Sequence, residues 1–141
     1  MREELHAADS AAAHVLAMMV AANGHVDPSE LRVLEGLDAF RRLGVTRQRF
    51  VDLARRCIED VGASLCERSW LGVEDQIYVD ELLDAVVDMQ QRLLVCRLAA
   101  AVVTADGRVT HGERLVFDHA LARWRISQSM VSKAILNDHS H

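Results

Sequence analysis

The chain has 141 residues, of which 50% are hydrophobic and 4% aromatic, with seven glycines and one proline. That length suits one domain with its own hydrophobic core, and a composition rich in alanine and leucine favours helices over a sheet. The formal net charge is −5 and the arginine pairs are interspersed with acidic residues, which argues against nucleic acid as a partner. The three cysteines include no Cys-x-x-Cys pair, so neither a disulfide framework nor a thiolate zinc site is expected.

The sequence contains no pattern typical of secretion or membrane insertion. The opening segment Met1–Glu4 carries acids where a secretory signal needs basic residues. The longest apolar runs, Val15 to Ala22 and Leu98 to Val103, are far shorter than the roughly 20 residues that span a bilayer. We therefore expect a cytoplasmic protein with no membrane span, for which a partner can provide peripheral association with a membrane.

Helical periodicity predicts an all-α bundle of about seven helices. In chain order they cover residues 3–22, 28–43, 47–61, 74–87, 89–105 and 110–124, and the last begins after Ser127. Two of them share one start signal, in which a hydroxyl caps the first turn and the apolar residue before it packs on the helix. The residues are Thr46 with Val45 and Phe50, and Ser127 with Ile126 and Val131.

Three acids follow one face of the fourth predicted helix and its end. Asp80, Asp84 and Asp88 recur at i, i+4 and i+8. Like charges at this spacing destabilise a helix by roughly a few tenths of a kcal/mol per pair, unless a cation or an arginine compensates them. We interpret them as a solvated face, with Asp88 as the N-cap of the next helix.

An eight-residue pattern occurs twice in the chain. The segment from Asn23 to Glu30 and the segment from Asp106 to Glu113 both read Asp/Asn-Gly-x-Val-x-x-x-Glu, and each follows an apolar helix end. The duplication predicts two units of three helices that face each other around one core.

The predicted organisation is a single compact domain over residues 1–141. The first unit covers about 3–63 and the second about 88–137, with a connection at 64–73 and a separate helix at 74–87.

The repeated pattern matches the second half of an EF-hand calcium loop, at its ligand, glycine, aliphatic and final glutamate positions. A true EF-hand is excluded, because its first ligand position would be Val102 in one copy and Met19 in the other. What remains is a helix end with unpaired carbonyls beside carboxylates, a set of oxygen donors that suits Ca²⁺, Mg²⁺ or Mn²⁺. If the two loops meet, four carboxylates are available: Asp27, Glu30, Asp106 and Glu113.

A simpler interpretation needs no ion. Glu30 and Glu113 occupy the third position of a capping box, Asp27 and Thr110 are ordinary N-caps, and the glycines are ordinary C-caps. Capping accounts for the glutamates but gives no reason for Asp106.

The doubled pattern, together with the run from Asp88 to Leu94 that leads into its second copy, resembles the TerB-like family of tellurite-resistance proteins. The resemblance implies a compact bacterial helical bundle associated with stress responses. It also implies a divalent-metal site at Asp106 and Glu113 in the second motif and at Asp27 and Glu30 in the first. Asn23 replaces the first Asp of the pattern, so a neutral ligand weakens any site in the first loop.

These observations leave two functions open. The first is a non-enzymatic stress protein that binds a divalent cation at its acidic loops, since no catalytic nucleophile, phosphate loop or metal triad is visible. The second is an interaction or adaptor module, with protein partners or a second copy of itself, whose loop acids serve only as helix caps. An exposed apolar patch would favour the second function, and Trp70, Trp124 and residues 62–72 are the candidates for it.

Overall fold

The computed structural model describes residues 11–21, 26, 28–59, 73–105 and 111–132. Within these ranges the chain forms helices and no strand, so the predicted all-α class is confirmed. The helices are α1 (Ala11–Ala21), α2 (Pro28–Gly36), α3 (Ala39–Leu43), α4 (Arg47–Cys57), α5 (Val73–Asp84), α6 (Met89–Ala105) and α7 (His111–Trp124). A further short helix covers residues 128–132.

The single helix predicted over residues 28–43 is wrong, because the chain breaks between α2 and α3. Asp38 adopts a left-handed conformation with φ 59° and ψ 32°. Gly36 has low helix propensity, and Asp tolerates the left-handed region better than most residues. Arg41 then pairs with Asp38 at 2.6 Å across the first turn of α3. The break therefore falls where helix propensity is low and the left-handed conformation costs little.

Helix α1 lies at the centre of the bundle and packs against α3, α4, α5, α6 and α7. Nine of its eleven residues are buried, and the alanines among them let neighbouring helices approach closely. The side chains of Val15, Leu16 and Met18 are fully buried, and each such side chain stabilises the fold by about 1.5–3 kcal/mol. The apolar end of this helix is therefore enclosed by its neighbours.

Helix α6 supplies a second buried surface, which includes Val95, Cys96 and Leu98. Burial raises the pKa of the Cys96 thiol to about 12, so this cysteine behaves as a small apolar core residue. Among the helices that the structure describes, none combines the length and apolar composition that crossing a bilayer requires.

Helices α1 and α6 begin at one groove and pack against each other. Ala11, at the described start of α1, and Gln91, in the first turn of α6, line one groove of about 410 Å³. Both helices therefore extend away from the groove.

The junction between α3 and α4 shows why the chain turns where it does. Gly44 takes φ 76°, and the amide of Val45 donates to the carbonyl of Phe40 at 2.9 Å, which closes the end of α3. The hydroxyl of Thr46 accepts from the amide of Arg49 at 3.0 Å, as predicted for an N-cap. Phe50 is fully buried.

The junction after α7 repeats this arrangement. Arg125 takes φ 56°, and the amide of Ile126 donates to the carbonyl of Leu121 at 2.9 Å. The hydroxyl of Ser127 accepts from the amide of Met130 at 3.1 Å, so the second predicted N-cap is confirmed.

Candidate functional site

The predicted acidic site falls mostly outside the part of the chain that the structure describes. Asn23, Asp27 and Asp106 lie outside the described residues, and Glu113 lies in the first turn of α7, where its side chain is not described. Glu30, in the first turn of α2, is described. Among the described side chains, no three His, Cys, Asp or Glu residues come together as a metal-binding group.

Glu30 is the one buried charged side chain in the described residues, with 2% of its surface exposed. Glutamate is almost never buried to this degree unless another group balances its charge, and buried carboxylates either pair with polar groups or coordinate metals. Its place at the start of a helix favours a negative charge, because the backbone N–H groups there carry partial positive charge. Burial of Glu30 is thus compatible with both the capping and the cation interpretation.

The two acidic loops follow α1 and α6 in the chain. Both helices extend away from the groove at their starts, and they end at Ala21 and Ala105. Residues 22–27 follow the first of these ends and residues 106–110 follow the second. Ala21 and Ala105 are therefore the helix ends farther from the groove, and of the predicted acidic ligands that follow them, only Glu30 has its side chain in the described part of the chain.

A second cluster of charged side chains joins α5 to α7. Arg123 donates two hydrogen bonds of 2.8 Å to the carboxylate of Asp84 and lies 3.3 Å from Asp80. The other oxygen of Asp80 lies 2.6 Å from Nε2 of His119. The hydrogen bonds between Arg123 and Asp84 lower the pKa of Asp84 below its ordinary value and raise the pKa of Arg123.

The interpretation of these acids as a solvated face is confirmed for Asp84, whose side chain is 57% exposed although it pairs with Arg123. It is wrong for Asp80, which is 19% exposed and pairs with His119 and Arg123 of α7. The expected role of Asp88 is confirmed, since its carboxylate accepts from the amide of Gln90 at 2.9 Å in the first turn of α6. Sequence reasoning missed His119 and Arg123. Their i, i+4 spacing on α7 matches that of the two acids on α5, and this complementary pattern was the available signal.

The paired charges connect two helices, and the carboxylates of the cluster are already engaged by side chains of α7. Asp80 and His119 are each about one-fifth exposed, at 19% and 23% of their side-chain surface. Each carboxylate already interacts with an α7 side chain. We therefore interpret the cluster as a set of interhelical ion pairs that stabilise the packing of α5 on α7, and not as a reactive centre.

Trp124 is a core residue, and its proposed place in an exposed apolar patch is wrong. It is 3% exposed, and its indole N–H donates to the carbonyl of Leu83 at 3.0 Å, which satisfies a backbone acceptor near the end of α5. The guanidinium of Arg92 lies 5.7 Å from the ring centroid and donates to the carbonyl of Val86 at 2.7 Å. Trp70 and residues 62–72, the other candidates for the patch, lie outside the described residues.

Comparison of the chain with protein-family models, with curated proteins and with solved structures finds no match. The resemblance to the TerB-like family therefore stays a prediction from the doubled sequence pattern.

Proposed function

We propose that this protein is a non-enzymatic, TerB-like helical protein of the bacterial cytoplasm that binds a divalent cation and acts in a stress response of the tellurite-resistance type. The ligands in this proposal are Asp106 and Glu113 from the second loop, with Asp27 and Glu30 from the first. The observation that supports it is that α1 and α6, the helices that precede the two acidic segments, begin at one groove and pack against each other.

The chemistry of the donors supports a hard cation. Carboxylate oxygens and the carbonyls at helix C-termini are the ligands preferred by Ca²⁺, Mg²⁺ and Mn²⁺. Glu30 supports the same proposal, because a carboxylate held at 2% exposure beside the first loop has lost most of its hydration and is more stable when a cation is near. Asn23 contributes at most a neutral oxygen, so the second loop supplies the stronger half of the site.

Thermal unfolding with and without each of the three cations tests this proposal. At a cation concentration of about one hundred times the dissociation constant, binding adds about 2.7 kcal/mol to the free energy of unfolding. The midpoint temperature then rises by several degrees. Asp106→Asn combined with Glu113→Gln should abolish the rise, and Glu30→Gln should reduce it.

The matched control is Glu81→Gln, which removes the same charge from an exposed position on α5. This variant should show the same cation-dependent rise as the native protein. If millimolar Ca²⁺, Mg²⁺ and Mn²⁺ all leave the melting curve of the native protein unchanged, the protein is not a cation-binding protein of this kind.

A further inference from the structure

Two adjoining depressions lie at the end of the bundle where α1 and α6 begin. The larger, of about 410 Å³, includes Arg41 and Arg42 of α3 in its lining. The smaller, of about 220 Å³, includes Arg49 and Arg56 of α4. Ala11 and Ala85 line both depressions, so the two adjoin, and together they are called the cleft.

The arginines of the smaller depression lie on one face of α4. Arg49, Leu53 and Arg56 follow the i, i+4, i+7 spacing of a single helical face. The two arginines are separated by two helical turns, a rise of about 10 Å. Leu53, which is 3% exposed, forms an apolar floor between them.

Among the described residues, the guanidinium groups of Arg49 and Arg56 have no carboxylate partner, in contrast to those of Arg41 and Arg47. Arg41 pairs with Asp38 at 2.6 Å and Arg47 with Glu35 at 2.6 Å. Within the described residues, neither Arg49 nor Arg56 forms an ion pair or a side-chain hydrogen bond. Both side chains are exposed.

The charge around the cleft is opposite to that of the whole protein. The chain carries a formal net charge of −5, yet the described lining residues include four arginines and one acid, Asp88, and of these arginines Arg41 is paired with Asp38. One oxygen of Asp88 is already occupied by the amide of Gln90. A concave, positively charged surface with apolar walls concentrates anions more strongly than scattered surface charges do.

We propose that this cleft binds a small soluble anion that carries two linked phosphate groups. The planar fork of a guanidinium matches two phosphate oxygens, and two forks attached two turns apart suit a diphosphate better than a single phosphate. The diphosphate lies over Leu53 between Arg49 and Arg56, and the larger depression accommodates the remainder of the ligand beside Arg41 and Arg42. This site lies at the described start of α1, includes none of the proposed cation ligands and does not depend on the proposed cation.

Isothermal titration of the full chain with inorganic pyrophosphate and with inorganic phosphate tests the proposal. Pyrophosphate should bind saturably and at least about tenfold more tightly than phosphate. Arg49→Gln and Arg56→Gln should each weaken pyrophosphate binding about tenfold, which corresponds to about 1.4 kcal/mol. Arg55→Gln is the matched control, because Arg55 is an exposed arginine on another face of α4, and it should change the dissociation constant by less than about twofold.

Three results decide the matter once the melting temperature shows that each variant is folded. Absence of saturable pyrophosphate binding at millimolar concentration overturns the proposal. An equal loss in Arg55→Gln and Arg56→Gln also overturns it, since the attraction would then be a diffuse effect of charge. Sedimentation with vesicles that contain phosphatidic acid separates the sources of phosphate: vesicle binding that requires Arg49 and Arg56 overturns the assignment to a soluble diphosphate, because the phosphate then belongs to a lipid headgroup.

Discussion

The two helix junctions of this protein, residues 40–46 and 121–127, have nearly the same backbone but different residues at the turn. Each is closed by a hydrogen bond of 2.9 Å from an amide to the carbonyl five residues earlier, and each continues into a hydroxyl-capped helix. The residue with positive φ is Gly44 in the first and Arg125 in the second. The turn is therefore specified by the shared hydrogen bonds and apolar contacts, and not by the glycine.

The difference has an energetic consequence. A residue with a Cβ in the left-handed region costs about 1–2 kcal/mol relative to glycine, so the second junction carries strain that the first avoids. It keeps its conformation because Ile126 and Leu121 are anchored in the core, at 4% and 7% exposure. The first junction has a large aromatic anchor instead, because the rings of Phe40 and Phe50 pack with centroids 5.3 Å apart.

The largest expected effect comes from removing the buried anchor of each capped helix. Phe50→Ala should lower the free energy of unfolding by about 3–5 kcal/mol, because it leaves a cavity beside Phe40 and α1. Val131→Ala, which removes less volume from a residue that is 5% exposed, should cost about 1–2 kcal/mol. Urea denaturation followed by circular dichroism measures both values.

Phe50→Leu is the control, since it keeps an apolar side chain and should recover more than half of the loss. If Val131→Ala costs as much as Phe50→Ala, the two junctions depend equally on their anchors and the contrast between them is wrong.

At the two turn residues we expect smaller changes in stability, and the two substitutions should differ in sign. Gly44→Ala should destabilise the protein by about 1–2 kcal/mol, because φ 76° is unfavourable for alanine. Arg125→Gly should be neutral or stabilising by up to about 1 kcal/mol, since relief of strain is partly offset by the greater entropy of glycine in the unfolded chain. Melting temperatures of the two variants give the comparison, and destabilisation by Arg125→Gly would show that the arginine side chain itself stabilises the turn.

Local features of this fold could be predicted from the sequence. Thr46, Ser127 and Asp88 cap helices as expected, because a cap depends on residues three or fewer positions away. The break at Asp38 could not be predicted in the same way, since Leu34, Leu37 and Phe40 continue the helical spacing of apolar residues across it. When the same residues face the core on both sides of a turn, hydrophobic periodicity does not reveal the turn.

The paired charges and the arginine cleft could not be predicted from the sequence, because the residues that form them lie on helices that are distant along the chain. The pairing of Asp84 with Arg123 requires knowledge that α5 and α7 are neighbours, and no local pattern supplies it. The arginine cleft was missed for the same reason, because its charge becomes concentrated only when α1, α3, α4 and the end of α5 meet. The duplication into two units and the acidic cation site stay predictions, although the two similar junctions are what a duplication would produce.

The smallest expected effect concerns the two caps themselves. Thr46→Ala should cost about 1 kcal/mol, because the amide of Arg49 loses its acceptor. Ser127→Ala removes the same kind of bond, but the described helix that it starts is short, at residues 128–132, and it should cost about 0.5 kcal/mol. Thr46→Ser retains the hydroxyl and should lie within a few tenths of a kcal/mol of the native protein.

Hydrogen exchange can separate a local from a global loss at these caps. The cap of α4 supports a helix that packs against the central helix α1, so Thr46→Ala should accelerate exchange throughout the bundle in proportion to the lost stability. Ser127→Ala should accelerate exchange mainly after residue 127, because a helix end with few buried residues can open without the core. If Ser127→Ala accelerates exchange equally in α1, the second junction is as integral to the fold as the first, and the residue at the turn is then the remaining difference between them.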